Sequence, residues 1–265
     1  MGGRVTKTFE RLKVENKSAL ITYVIAGDPD LKTSQSILEI LPAAGADIIE
    51  LGIPFTDPMA DGPAIQAGDI RALAAGSTLS HVLGMVRTFR SKNDVTPVIL
   101  MGYFNPIYQY GLQKFSEDAA QSGVDGVLVV DLPPEEDGEL KAALKTKGLD
   151  FIRLITPTSD NNRLAKLVDG ASGFLYYVSI AGVTGTASVP IDAIASRIAD
   201  IRQHSDLPVA VGFGIRTPEE AEAVSKLAEG VVIGSAFVTT IEKTDKNQIV
   251  KSIDEQVKAF KAAFA

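Results

Sequence analysis

The stretch SGVDGVLVVDLPPEEDGELKAALKTKGLD, residues 122–150, holds one complete structural unit. It opens on a Gly-x-Asp signal, SGVD (122–125), and runs straight into the near-continuous apolar segment GVLVVDL (126–132). It closes on a second signal, KGLD (147–150), which again precedes an apolar segment. Apolar runs of this kind, alternating with helical patterns, belong to strands of a parallel sheet covered by helices. Gly123 and Gly148 stand where the preceding helices would end in the left-handed conformation. A third copy of the signal, AGAD (44–47), precedes the run DIIEL.

Working outward, the same kind of run recurs near 19–25, 47–51, 97–103, 126–132, 151–156, 174–179, 208–213 and 230–234. Eight such strands in 265 residues match an α/β fold of the (β/α)8 TIM-barrel type, which takes about 250 residues. The pattern at 5–16 predicts an extra helix ahead of the barrel. No linker or low-complexity stretch interrupts the chain, so residues 1–265 are expected to form a single barrel domain. A doubly wound open sheet is the competing architecture. It would carry a G-x-G-x-x-G turn after its first strand, where this chain has AGDPD. Pro42, late in the first barrel helix, is expected to kink or end it.

Composition narrows the chemistry. Apolar residues make up 45% of the chain, enough for a sizeable core, and no apolar run approaches the roughly 20 residues of a membrane span. The N-terminal segment alternates charged and apolar residues and lacks the apolar core of a signal peptide. There is no cysteine, which excludes disulfides and thiolate catalysis and is compatible with the expected cytoplasmic location. The net charge of −7 is spread along the chain, which disfavours nucleic acid as a partner.

In a (β/α)8 barrel, chemistry sits on the loops that follow the strands. The polar residues there are Asp28 and Asp30; Glu50, Asp57 and Asp61; Tyr103 and Asn105; Asp131; Thr156 and Thr158; and Tyr176, Ser179, Thr184 and Gly185. Glycine-rich turns complete the set after the last two strands. His81 and His204 fall at a helix start and a helix end, so a metal site is not expected. No lysine falls at a strand end, which disfavours a Schiff base. Carboxylate chemistry without metal or organic cofactor remains.

Strand periodicity puts Ile48 and Glu50 on one face and Ile49 and Leu51 on the other. If the latter pair faces the helices, Glu50 points into the barrel mouth, where lost solvation raises its pKa and suits it to proton transfer. The alternative is a buried glutamate that bonds loop amides. The following loop, IPFTDPMADGP (53–63), is restrained by Pro54 and Pro58 and turned at Asp61–Pro63. Asp57 reads as a turn cap, whereas Asp61 fits either a turn or a site. In VGFGIRTPEEAEAV (211–224), Gly212 and Gly214 precede the helix start Thr217–Glu220, and in VVIGSAFV (231–238) Gly234 and Ser235 open another helix. Bare amides at such helix starts bind phosphate; simple capping is the alternative.

At this point the chain resembles the tryptophan synthase α subunit family over essentially its whole length. IELGIPFTDPMADGP (49–63) is similar to the family signature, and AGDPD, GVTG and VGFGI follow in the family's order. The resemblance implies a (β/α)8 barrel that cleaves indole-3-glycerol phosphate to indole and glyceraldehyde 3-phosphate. It matches Glu50 and Asp61 to the two catalytic carboxylates. It matches Tyr176 to a tyrosine lining the site, Tyr23 to an aromatic that contacts the indole, and Gly185, Gly214 and Ser235 to the phosphate-binding positions; Tyr103, Thr184, Phe213 and Gly234 are further expected substrate contacts. It implies no cofactor in this chain, a pyridoxal-phosphate-dependent β subunit as partner, and a heterotetramer. Ile180 departs from the pattern, standing where some members carry an arginine. A sugar-phosphate isomerase, a free-standing lyase and a non-catalytic regulatory protein are the rival expectations; the first would need Cys, His or metal chemistry that the strand ends lack.

Overall fold

In the computed structural model, which describes residues 3–179, 191–212 and 214–264, the polypeptide alternates strands and helices from end to end. Helix α1 (Arg4–Val14) leads into β1 (Ala19–Ile25), α2 (Leu31–Ala44), β2 (Ile48–Gly52), α3 (Pro63–Ala74) and α4 (Leu79–Arg90). Then come β3 (Val98–Gly102), α5 (Phe104–Tyr110), α6 (Leu112–Ser122), β4 (Gly126–Val129), α7 (Gly138–Thr146), β5 (Asp150–Ile155) and α8 (Asn161–Val168). The chain continues through β6 (Leu175–Val178), α9 (Ile191–Arg202), β7 (Val209–Gly212), α10 (Pro218–Ser225), β8 (Gly230–Ile233), α11 (Ser235–Lys243) and α12 (Ile249–Ala262). The strands pair in parallel and in chain order, and β1 closes on β8. This is the (β/α)8 barrel expected from the strand spacing, not an open sheet.

Two apolar layers follow from the strand period. Ile21, Ile48, Ile99, Leu128, Ile152 and Val232 point inward and fill the barrel. Ile49, Leu51, Val98, Leu100 and Val127 point outward and meet the buried faces of the helices. The extra helix α1 belongs to the inner layer, where Val5, Phe9 and Leu12 plug the N-terminal end of the barrel. The Phe9 ring lies 5.8 Å from that of Phe174, just ahead of β6. With that end sealed by apolar packing, the opposite end is left for ligands.

The recurring acid ahead of a strand has a specific task. Asp47, before β2, accepts from the Leu20 N–H of β1 at 2.9 Å, and Asp125, before β4, accepts from Val98 of β3 at 2.8 Å. Glu229, before β8, does the same for Val209 of β7 at 2.9 Å. Each side chain thus satisfies a strand-start amide that the ladder leaves open. The glycines of the signal end helices as expected: Gly123 caps α6 in the left-handed region and Gly148 has φ +70°. Helix α2 passes Pro42 and stops two residues later, where Gly45 at φ +115° returns its N–H to Leu41 and Pro42.

Several strand ends differ from expectation. β4 stops at Val129, because Asp131 turns away to accept the Phe104 N–H at 2.7 Å. β3 stops at Gly102, and Tyr103 becomes the residue that opens α5.

Asp125 also pairs with the guanidinium groups of Arg4 and Arg90, and Arg90 is nearly buried. Removing the acid strands that cation and an amide together. Asp125→Ala is therefore expected to lose about 3 kcal/mol, read as a lower urea midpoint with an unchanged denaturant slope.

Candidate active site

The acids at the strand ends divide by what they touch. Asp28 is buried and held by Arg71 through two hydrogen bonds, at 2.7 and 2.9 Å. Asp30 caps α2 by accepting the Thr33 N–H. Asp57 is exposed; its carboxylate accepts from the adjacent Thr56 hydroxyl and its carbonyl from Met59 N–H, which makes it the turn residue expected. Asp131 is occupied at α5. Thr156 and Thr158 bond each other within their own turn. Glu50 and Asp61 are left for chemistry.

Glu50 is completely buried, and neither of its carboxylate oxygens has a hydrogen-bond partner among the described residues. That arrangement is the opposite of a glutamate satisfied by loop amides. Its neighbours on the inner face are apolar: Ile48 two residues back, and Ile99, its register partner on β3. Desolvation pushes the carboxyl up to about 8. A group so placed stays protonated at neutrality and can both give and take a proton.

Asp61 lies in the β2–α3 loop and is half-buried. The Tyr103 hydroxyl donates to its Oδ2 at 2.7 Å and accepts the Ala60 N–H at 3.0 Å. Gln66 on α3 donates to the Asp61 carbonyl at 2.8 Å. Desolvation raises the Asp61 carboxyl, and the bond from Tyr103 opposes that rise. Tyr103 therefore acts on the site through Asp61.

Tyr23 is the register partner of Glu50 on β1 and is buried. Its hydroxyl lies so close to Gly52 that a Cβ there would stand 2.5 Å from it, so glycine at the end of β2 makes room for the ring. Desolvation, then the nearby Asp61, Asp69 and Glu50 carboxyls, hold the Tyr23 phenol well above its usual range. Tyr176 on β6 is buried and held up by the same cause, with Glu50 and Asp61 next in effect. A cavity of about 590 Å³ opens over Asp61, Met101, Val129, Tyr176 and Val178. Glu50, Tyr23, Tyr103, Gly214, Gly234 and Ser235 are not among the residues that line it. Thr184, Gly185, Ile180 and Phe213 lie outside the described residues.

The two helix starts read as phosphate sites differ from each other. At α10, Thr217 and Glu220 form a reciprocal cap, and the Glu220 carboxylate takes the N–H groups of Arg216 and Thr217. Those amides are already used, by a negative charge. At α11, Gly234 provides no side-chain cap; the Phe237 and Val238 N–H groups return to its carbonyl, which leaves those of Ser235 and Ala236 for an anion.

Sequence reasoning missed Asp69. It sits on the buried face of α3 with Gly68 and Ala72, and desolvation raises its carboxyl to about 7, with Asp61 adding to the effect. An acid in register with small residues on a helix's inner face was the available signal.

Among the described residues no cluster of His, Asp or Glu is arranged to hold a metal ion, and no helix is long and apolar enough to cross a membrane. A family model described as tryptophan synthase alpha chain matches residues 9–265. The chain belongs to that family. The family cleaves indole-3-glycerol phosphate, a carbon–carbon lyase reaction in tryptophan biosynthesis. Among solved structures, tryptophan synthase subunit alpha from Legionella pneumophila str. Paris is 39% identical, with a TM-score of 0.91 over 100% of this chain and 99% of that one. A tryptophan synthase from M. tuberculosis in its aminoacrylate-bound form is 30% identical, with a TM-score of 0.90 over 100% of both chains.

The buried Glu50 has a thermodynamic signature. The unfolded glutamate ionises near 4.5 and the folded one near 8, so folding takes up a proton between those values. The group's contribution is fullest below about pH 4.5 and is lost as pH rises through about 8. Glu50→Gln, which does not titrate, is expected to be more stable than the parent at pH 9 and to lose that advantage towards pH 4.5. Urea unfolding at both pH values measures it.

Proposed function

We propose that Glu50 and Asp61 are the catalytic pair with which this alpha chain cleaves indole-3-glycerol phosphate. The observation that carries the reading is the dry, unpartnered carboxyl of Glu50 near the end of β2, with Asp61, whose own carboxylate is held by Tyr103, in the loop that follows. Cleaving the bond between the indole C3 and the glycerol chain needs an electron sink. Protonation of C3 by Glu50 makes the ring an electron-poor indoleninium. The Glu50 carboxylate then takes the proton of the side-chain hydroxyl, a carbonyl forms, and the C–C bond electrons return to the ring. Indole and glyceraldehyde 3-phosphate result. Asp61 faces the ring N–H and stabilises the positive charge that develops there. Tyr23 and Tyr176 flank the ring, and the open amides of α11 at Gly234 and Ser235, with Gly214, take the phosphate. No step needs a cofactor in this chain, and the phosphorylated substrate fits a cytoplasmic reaction.

Glu50→Gln and Asp61→Asn should each fold and each lose indole production by about 10²-fold or more, and the parent's kcat should fall above pH 8 as Glu50 loses its proton. Near-parental turnover by Glu50→Gln overturns the assignment.

The same reading extends to a partner. Indole is small and apolar and escapes by diffusion, so a consumer bound at the barrel mouth is chemically useful. The aminoacrylate of the M. tuberculosis enzyme is an electron-poor alkene, the complement of nucleophilic indole. We infer that a pyridoxal-phosphate-dependent β subunit docks over the β2–α3 loop, where Met59 is 79% exposed, giving an assembly of two alpha and two β chains. Adding that subunit should raise kcat for cleavage more than it changes KM. Sedimentation without complex, together with an unchanged rate, would mean a free-standing lyase.

A further inference from the structure

We propose that Asp69 is a positioning residue that ties the catalytic β2–α3 loop to the barrel. The inference rests on the assignment of Asp61 made above. It starts from a buried acid that no step of the reaction uses. Asp69 is only 4% exposed, although it lies on a helix with a solvent face. Its helix is pressed onto the barrel at the preceding residue: a Cβ at Gly68 would stand 2.5 Å from Ile25 and 2.9 Å from Val238. Close approach at Gly68 brings the next side chain inward, to the start of the loop.

There the Phe55 backbone N–H stands close enough to the Asp69 carboxyl to oppose the rise that burial causes. The Phe55 ring rests on Tyr103, centroid to centroid 5.3 Å. Tyr103 in turn donates to Asp61 and accepts from Ala60. A continuous set of contacts therefore runs from α3 through Phe55 and Tyr103 to the carboxylate that faces the ring N–H. Gln66, one turn earlier on the same helix, holds the Asp61 carbonyl. Helix α3 thus grips the loop at both ends, through Asp69 at its beginning and Gln66 near its close.

The charged surroundings give Asp69 a second effect. From the β1 side it faces Asp28, which Arg71 neutralises, and Arg71 is also 3.6 Å from Glu242 of α11. Tyr23 from β1 and Tyr103 after β3 both feel its charge, and Asp69 in turn feels that of Asp61 across the loop. No free cation among these groups offsets two adjacent carboxylates. Burial places Asp69 ionisation at about 7. Below that value Asp69 holds a proton; above it, Asp69 adds a negative charge beside the loop.

Two variants test this in the indole-release assay. Asp69→Ala removes both the acceptor and the charge. It should lower kcat by about 10- to 100-fold with little change in KM, as expected when a catalytic group loses its placement but the substrate keeps its contacts. Asp69→Asn keeps an acceptor for Phe55 and removes the titration. It should recover most of kcat and lose the inflection near pH 7, while the fall governed by Glu50 above pH 8 remains. Parental kcat in Asp69→Ala, or a parental inflection near pH 7 in Asp69→Asn, overturns the proposal. If Asp69→Ala fails to fold, the pH profile of Asp69→Asn decides alone. Asp61→Asn assayed alongside separates the two claims: an active Asp61→Asn removes the site assignment itself, whereas an inactive one with either overturning result removes only the role of Asp69.

Discussion

The desolvation of one carboxyl governs the rest of this structure. Glu50 sits on the inner face of β2, with Ile48 behind it and Ile99 beside it, and neither oxygen has a partner among the described residues. A buried polar group left in this state costs stability, typically about 1–3 kcal/mol. Only a scaffold with ample apolar burial elsewhere holds it in place. The closed barrel is such a scaffold, because every strand contributes residues to an inner and an outer apolar layer at once. It also keeps the carboxyl from relaxing towards solvent, since a strand hydrogen-bonded on both sides does not shift alone.

The two ends of the barrel treat charge in opposite ways. At the N-terminal end acids are paired and spent on structure. Asp47 meets Arg11, Lys261 and a strand-start amide, and Asp125 meets Arg4, Arg90 and another. At the C-terminal end Asp28 is paired in the same way, with Arg71, but three other acids lie among phenols instead. Glu50, Asp61 and Asp69 all raise the proton affinity of Tyr23, and Tyr103 is the hydroxyl that answers Asp61. The chain's net charge of −7 does not describe either end. In the proposed reading an anionic substrate is received not by cations but by open helix amides at α11, which carry partial positive charge without a side chain.

The legibility of these features follows from the distance over which each is determined. Strands were readable because burial on both faces makes the whole segment apolar, and that signal is local. Their ends were less so: Val130 and Leu132 continue the apolar run of β4, yet the loop has already turned to deliver Asp131 to α5. Glu50 was visible because a period of two is enough to aim it. Asp28 looked equally eligible by position, and only its contact with Arg71, 43 residues away, removes it. The Tyr103–Asp61 bond spans 42 residues and has no local mark. The phosphate signal at Thr217–Glu220 was ambiguous for another reason: the residues that make a helix start attractive to anions also cap it, and here Glu220 takes the amides itself.

The division between strand and loop explains why two carboxyls with one ancestry of burial can do different work. Glu50 is fixed by hydrogen bonds of the barrel ladder, so its position is set before any ligand arrives, and its proton is retained by dryness alone. Asp61 depends on side chains from two other elements, Tyr103 after β3 and Gln66 on α3, and its half-buried site leaves it open to charge in its surroundings. A proton donor must not be readily lost to water, which favours the rigid and enclosed position. A group that stabilises charge must reach the ring after the ring has entered, which favours the loop. In the proposed mechanism the acid that is hardest to move therefore handles the proton, and the acid that is easiest to move handles the charge.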